Sequence, residues 1–251
     1  MSTRGHRSPT AARRRRWGGL GWALVAGAPA GLVPPGGRSA PADAPGPANQ
    51  RLVVLLRNHL ARATPGPGGR HVMTVRARSV LTHVRTSLPV LDAATSRGES
   101  WLRVRLPGRP NGHTGWIAAS HTLPGATPWR LVVDLSARSV SVYRNGRVAR
   151  RFRAVVGKPA TPTPRGAFFV EEVVAISPRD TGGPFALATS AYSSVFQEFE
   201  GGPGQTAIHG TTGLSGRPGT AVSFGCVRVS PSAITWLARR VVAGTPLTVR
   251  K

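Results

Sequence analysis

Two short stretches decide the reading of this chain: Thr206-Ala207-Ile208-His209-Gly210-Thr211 and Ser223-Phe224-Gly225-Cys226-Val227-Arg228. The second holds the only cysteine among 251 residues, and no histidine other than His209 follows His121. A lone cysteine cannot form an internal disulfide, and by default it is a small buried hydrophobe. Its surroundings argue for chemistry instead. Gly225 lets the backbone turn tightly before the thiol and aim successive N–H groups at one point. Arg228 can lower a thiol pKa and hold an anionic group. His209 closes an apolar strand-like run and is the base within reach. Thr212 to Ala221 between them holds three glycines and a proline, which suits a loop folding His209 back beside Cys226. Thiol, base and amide donors are the parts that acyl transfer needs.

Outward from these stretches, residues 129–251 read as one β-rich unit. Strands are expected at 130–136, 139–143, 147–149, 167–170, 206–208 and 246–249, and Asn145-Gly146 is a hairpin turn. Ser230 and Pro231 provide an N-cap and first position for a helix over Ala233 to Val242, which Gly244 closes. Residues 71–124 are strand-like too. Trp101-Leu102-Arg103-Val104-Arg105-Leu106 alternates with period two, and Gly115-Trp116-Ile117 ends the stretch. Trp101 and Trp116 are expected in a small core. Arg51 to about Arg62 is expected to form a short helix, ended by Pro65-Gly66-Pro67-Gly68-Gly69.

At this point the sequence resembles the YkuD-type L,D-transpeptidases. The resemblance rests on Ala207 to Thr211, on Ser223 to Arg228 with Cys226 17 residues beyond His209, and on upstream features. These are Val132 to Ser136, the Asn145-Gly146 hairpin, Val156-Gly157 and Thr163 to Phe168. It implies a mainly β, sandwich-like catalytic domain with a short helix. Residues 71–124 resemble the SH3-like β modules found beside wall enzymes, so a small module of that kind is expected to precede the catalytic domain. The resemblance implies Cys226 as nucleophile, His209 as base and the Gly210 carbonyl as orienter of the imidazole. Amides of Gly225, Cys226 and Phe224 would form the oxyanion hole. Arg228, Ser223 and Tyr192 are the candidate substrate contacts, Tyr192 from a segment before His209 that could cover the pocket. The family places a second histidine where this chain has Phe224, so pocket polarity is expected to differ while the main-chain amide survives.

The implied reaction is attack of Cys226 on a peptidoglycan stem peptide, release of D-alanine, and transfer to a neighbouring stem as a 3→3 cross-link. Carbapenem-type inhibitors are expected to acylate the same thiol. No cofactor is implied, and the histidines show no metal-ligand spacing with Cys226. Three alternatives remain: trimming of stems by water, a sortase-like transpeptidase, and a wall-binding protein with an inert thiol. The close spacing of His209 and Cys226 argues against the sortase reading. Residues 51–128 are expected to dock on the wall and to be dispensable for the chemistry.

Composition agrees. Thirty-four basic residues against 9 acidic give a net charge of +25, and only Lys158 and Lys251 are lysine. Such a charge attracts polyanions, including anionic wall polymers. No nucleic-acid module signature accompanies it, so nucleic acid is not an expected partner. Residues 1–48 read as an export segment and linker: Arg13 to Arg16, an apolar stretch from Trp17 to Val33, then small residues and prolines. Ala28-Pro29-Ala30 and Ala40-Pro41-Ala42 are the two candidate cleavage sites, and an uncleaved anchor is the alternative. The protein is thus expected outside the cytoplasm, at the wall or membrane surface.

Overall fold

The computed structural model describes residues 48–199 and 201–251. The expected export segment and its candidate cleavage sites lie outside them. Among the described residues no helix is long and apolar enough to cross a membrane.

The described chain opens with seven strands: β1 (Gln50–Leu55), β2 (His59–Arg62), β3 (His71–Val75), β4 (Ser87–Ser96), β5 (Glu99–Arg105), β6 (Thr114–Ala118) and β7 (Thr122–Thr127). They pair in the order β3-β2-β6-β5-β4-β1-β7. The helix expected over 51–62 is absent, and β1 and β2 take its place. Leu52-Val53-Val54-Leu55-Leu56 is too short an apolar run for its period to separate helix from strand. Here β1 lies between β4 and β7, and its valines suit a strand paired on both edges. Trp101 is buried and Trp116 half-buried.

The second half holds β8 (Trp129–Asp134), β9 (Ser139–Arg144), β10 (Arg147–Arg153), β11 (Val156–Gly157), β12 (Gly166–Ala175), β13 (Phe185–Tyr192), β14 (Gln205–His209), β15 (Ala221–Ser223), β16 (Val227–Arg228), α1 (Pro231–Ala238) and β17 (Pro246–Arg250). Eight of these strands form a sheet in the order β10-β9-β8-β17-β12-β13-β14-β16, and β11 and β15 form a separate parallel ladder. The result is a mainly β, sandwich-type unit with one short helix. Asn145 and Gly146 both take positive φ, 51° and 75°, which is what a tight hairpin of matching twist demands.

The Ser230 hydroxyl accepts from the Ala233 amide at 3.2 Å and caps α1, with Pro231 in the first turn. The helix ends at Ala238 rather than at Val242. Val241 leaves the helix to be buried, and the Val242 amide donates to Thr245 Oγ1 at 3.2 Å. Ala233, Ile234 and Leu237 of α1 join Leu131, Val140, Phe168, Leu187 and Ile208 in one apolar core.

A second core lies under the first sheet and includes Val53, Leu55, Leu88, Val104 and Ile117. Phe169 of β12 belongs to this core, not to its own sheet's. The halves are joined by polar contacts as well. Glu172 accepts from the Thr82 amide and hydroxyl at 2.8 and 2.7 Å, and from the Leu81 amide at 3.3 Å. The N-terminal sheet is therefore built partly on β12, a strand of the second half.

Candidate active site

β14 and β16 run parallel, with His209 opposite Arg228 and Ile208 opposite Val227. The Val229 amide donates to the His209 carbonyl at 2.9 Å and extends the pairing. This pairing brings the two sequence stretches side by side. The turn containing Cys226 leads directly into β16. His209, Cys226, Arg228 and Phe224 all line one cavity of about 470 Å³, whose walls also include Gln205, Thr206 and Leu214.

The His209 imidazole is fixed from its Nδ1 side. Nδ1 lies 2.8 Å from the Gly210 carbonyl. A carbonyl only accepts, so Nδ1 carries the proton and Nε2 is left with its lone pair. Burial pushes the His209 pKa down from its ordinary value; the Gly210 bond opposes this and the Arg228 charge adds to it. The result is a neutral imidazole able to take a proton. Gly210 must be glycine for a packing reason as well: a Cβ there would overlap the Gly183 carbonyl. The turn at Gly182–Gly183 presses against the back of this strand end, and the Gly210 amide donates to the Gly182 carbonyl at 2.8 Å.

Ser223, a substrate contact expected from the sequence, is fully buried and is not among the residues lining this cavity. Its hydroxyl donates to the Cys226 carbonyl at 2.6 Å and accepts from the Gly225 amide at 3.2 Å. Ser223 therefore shapes the turn that presents the thiol. Gly225 has φ +121°, a region that L side chains rarely adopt. The Gly225 amide, one of the expected oxyanion donors, is engaged with the Ser223 hydroxyl.

Arg228 is buried, and its Nη1 donates to the Ser215 carbonyl at 2.8 Å, which ties the 212–221 loop to β16. Burial lowers the Arg228 pKa and the neighbouring Cys226 raises it. Tyr192 does not line the Cys226 cavity. It sits in a separate cavity of about 210 Å³ between the two halves, with Phe169 and Glu171. Its hydroxyl is pushed up to about 12, first by burial and then by Glu171. The strand register slips between Ala188 and Tyr192, which pairs with Gln205.

Phe224 lines the cavity and is 48% exposed. Its ring lies 6.2 Å from that of Phe196 and 5.9 Å from that of Phe199, and those two are 5.3 Å apart. Lys158 Nζ sits 4.5 Å from the centre of the Phe224 ring. Sequence reading missed this cluster, because nothing local in Phe196 or Phe199 announces a partner some 25 residues onward. Among the described residues no group of acidic, histidine and cysteine side chains could hold a metal ion.

A half-exposed thiol and a neutral, oriented imidazole on one cavity are the arrangement of an acyl-transfer enzyme. The YkuD L,D-transpeptidase catalytic domain profile matches residues 128–249. The L,D-transpeptidase-type protein YkuD of Bacillus licheniformis is 30% identical over 151 residues, covering 57% of this chain and 83% of that protein. L,D-transpeptidase 1 of Mycobacterium tuberculosis is 27% identical over 219 residues, covering 74% of this chain and 84% of its own length. The chain belongs to the YkuD-type L,D-transpeptidase family. A solved complex of LD transpeptidase LdtMt1 with imipenem is 19% identical and covers 64% of this chain and 98% of that one. Its TM-score of 0.38 is too low to add to the assignment.

Proposed function

We propose that this chain is an exported enzyme that forms 3→3 cross-links between peptidoglycan stem peptides, with Cys226 as nucleophile and His209 as base. The observation that carries the reading is the shared cavity of Cys226 and His209, with His209 Nδ1 committed to the Gly210 carbonyl. In the first step Cys226 Sγ attacks the carbonyl before the donor's terminal D-alanine, and His209 Nε2 takes the thiol proton. The tetrahedral oxyanion collapses, the amide bond breaks, and His209 returns the proton to the departing amine. A thioester on Cys226 remains. The side-chain amine of a neighbouring stem then attacks it; His209 takes the amine proton and returns it to the leaving sulfur.

The same site is proposed to be acylated by carbapenems, because a strained lactam carbonyl presents the same electrophile to the thiol. The basic surface suits an anionic wall polymer, and the run Arg13 to Val33 supports export. The test is to mix the protein with tetrapeptide stems and identify products by mass spectrometry. The reading predicts D-alanine release and a dimer linked through two third residues, both lost in Cys226→Ala. D-alanine release without dimer would mean that water is the acceptor and the enzyme trims stems.

A further inference from the structure

The loop between β5 and β6 belongs to the N-terminal sheet, yet its side chains end on the segment that walls the Cys226 cavity. Arg109 Nη1 donates to the Pro203 carbonyl at 2.8 Å, and Nη2 donates to those of Ser193 and Phe196 at 3.0 and 2.9 Å. The guanidinium also lies 4.9 Å from the centre of the Tyr192 ring. Two residues on, Asn111 imitates a strand neighbour: its Nδ2 donates to the Tyr192 carbonyl at 2.7 Å, and its Oδ1 accepts from the Tyr192 amide at 2.8 Å. These contacts fall where the pairing of β13 with β14 becomes irregular, so they replace ladder bonds that the sheet does not supply there.

Among the described residues of 193–204, the segment's own bonds are short-range, the Gly204 amide donating to the Gly202 carbonyl at 2.8 Å. The Ser193 amide donates to the Gly204 carbonyl at 2.8 Å, and Phe199 and Gly202 exchange backbone bonds at 2.8 and 3.0 Å. Ser193 Oγ accepts from the Val195 and Phe196 amides at 3.1 and 3.0 Å. The three carbonyls that Arg109 gathers come from both limbs of the excursion. A single planar fork therefore sets its width and with it the position of Phe196 and Phe199, which line the cavity and meet Phe224. Gly204 approaches closely enough that a Cβ there would overlap the Phe196 carbonyl and lie 3.2 Å from Arg109 Nη2.

We infer that Arg109 is a positioning residue for the acyl-transfer site: from the N-terminal sheet it seats the Phe196–Phe199–Phe224 wall against which the donor peptide binds. The inference deepens the proposed function and rests on it for the identity of the donor. The wall touches the donor's length rather than the reacting atoms, so loss of its seating weakens ground state and transition state alike and appears in KM.

The experiment compares wild type, Arg109→Ala and Arg109→Lys as full chains. It measures donor KM and kcat, thermal midpoint, and hydrogen exchange of the Ser193, Phe196 and Phe199 amides. The expected result for Arg109→Ala is a rise in KM of about tenfold with kcat within about twofold, faster exchange at those amides and an unchanged midpoint. Arg109→Lys, which keeps the charge but not the fork, should recover part of the KM. Unchanged KM and unchanged exchange would overturn the inference. So would a lowered midpoint with kcat and KM affected together, because Arg109 would then be only a structural tie. If wild type turned over no stem peptide, the proposed function would fail instead. The exchange rates would still decide whether Arg109 seats the wall: faster in Arg109→Ala supports it, unchanged overturns it.

Discussion

Phe168 and Phe169 are consecutive residues of β12, and they belong to different cores. Phe168 packs among Leu131, Val140 and Ile234 of the catalytic half, while Phe169 packs among Val53, Leu88 and Ile117 under the N-terminal sheet. Both rings are almost wholly buried, at 2% and 1% exposure. Successive side chains of a strand point to opposite faces, so one strand serves two cores without a linker between them.

From this relationship, Phe169→Ala should cost about 3–5 kcal/mol of stability, as large-to-small changes of buried aromatics do. Urea unfolding followed by both far-ultraviolet dichroism and Trp fluorescence would measure it. The two probes should shift together. A shift confined to one would mean that the halves unfold independently.

The shared core also changes what residues 129–251 can do alone. The sequence suggested that this stretch would keep the chemistry without the N-terminal module. Excised, it would expose Phe169 and lose the Arg109 and Asn111 contacts. It should therefore be less soluble and react with acyl donors more slowly than the full chain. Equal acylation rates would show that the shared core contributes only stability.

Glu171 gives a stability test with a definite sign. Burial, followed by the charge of Glu172, pushes its carboxyl up to about 8, so it is neutral in the fold at pH 7 while the unfolded chain ionises near 4.5. A raised carboxyl contributes stability that is fully present below 4.5 and is lost as pH rises through about 8. Glu171→Gln, neutral at every pH, should flatten this part of the profile and raise the thermal midpoint at pH 8. A variant with the wild-type slope between pH 5 and about 8 would place the titrating group elsewhere.

The proposed role of His209 as base carries a pH test. Its pKa is lowered, chiefly by burial, so the base form should persist below the ordinary 6.5. Acylation rates should therefore hold through pH 6.5 and fall only at more acid pH. His209→Ala should lose at least about a hundredfold in rate. An acid limb centred above 6.5 would mean that the imidazole is not desolvated as this cavity implies.

Ser223 should act through the turn it shapes. Ser223→Ala removes the acceptor of the Gly225 amide and the donor to the Cys226 carbonyl. Thiol alkylation by a small reagent should then change little, while acylation by a lactam, which needs the turn geometry, should fall about tenfold or more. Equal losses in both would point to a change in thiol pKa rather than geometry.

Much of this was legible in the sequence because it is local. The Asn145-Gly146 turn, the Ser230 cap and the strand ending in His209 each depend on a few adjacent residues. Pairing His209 with Cys226 needed only the scarcity of alternatives. The strand at Gln50–Leu55 was not legible, because a five-residue apolar run has no period of its own and β4 and β7 decide its state. Tyr192 looked like a pocket residue because it lies near His209 in sequence, yet it lines the separate cavity at the junction of the halves. Arg109 carried no signal at all, because its partners lie 84 to 94 residues away.

The most direct measurement is intact-protein and peptide mass spectrometry of the full chain incubated with a carbapenem. The predicted result is one adduct carrying the intact drug mass, located on the peptide containing Cys226 and absent from Cys226→Ala. It should form far more slowly in His209→Ala. An unmodified Cys226, or an adduct that persists in Cys226→Ala, would contradict the assignment of this thiol as the acyl-carrying nucleophile.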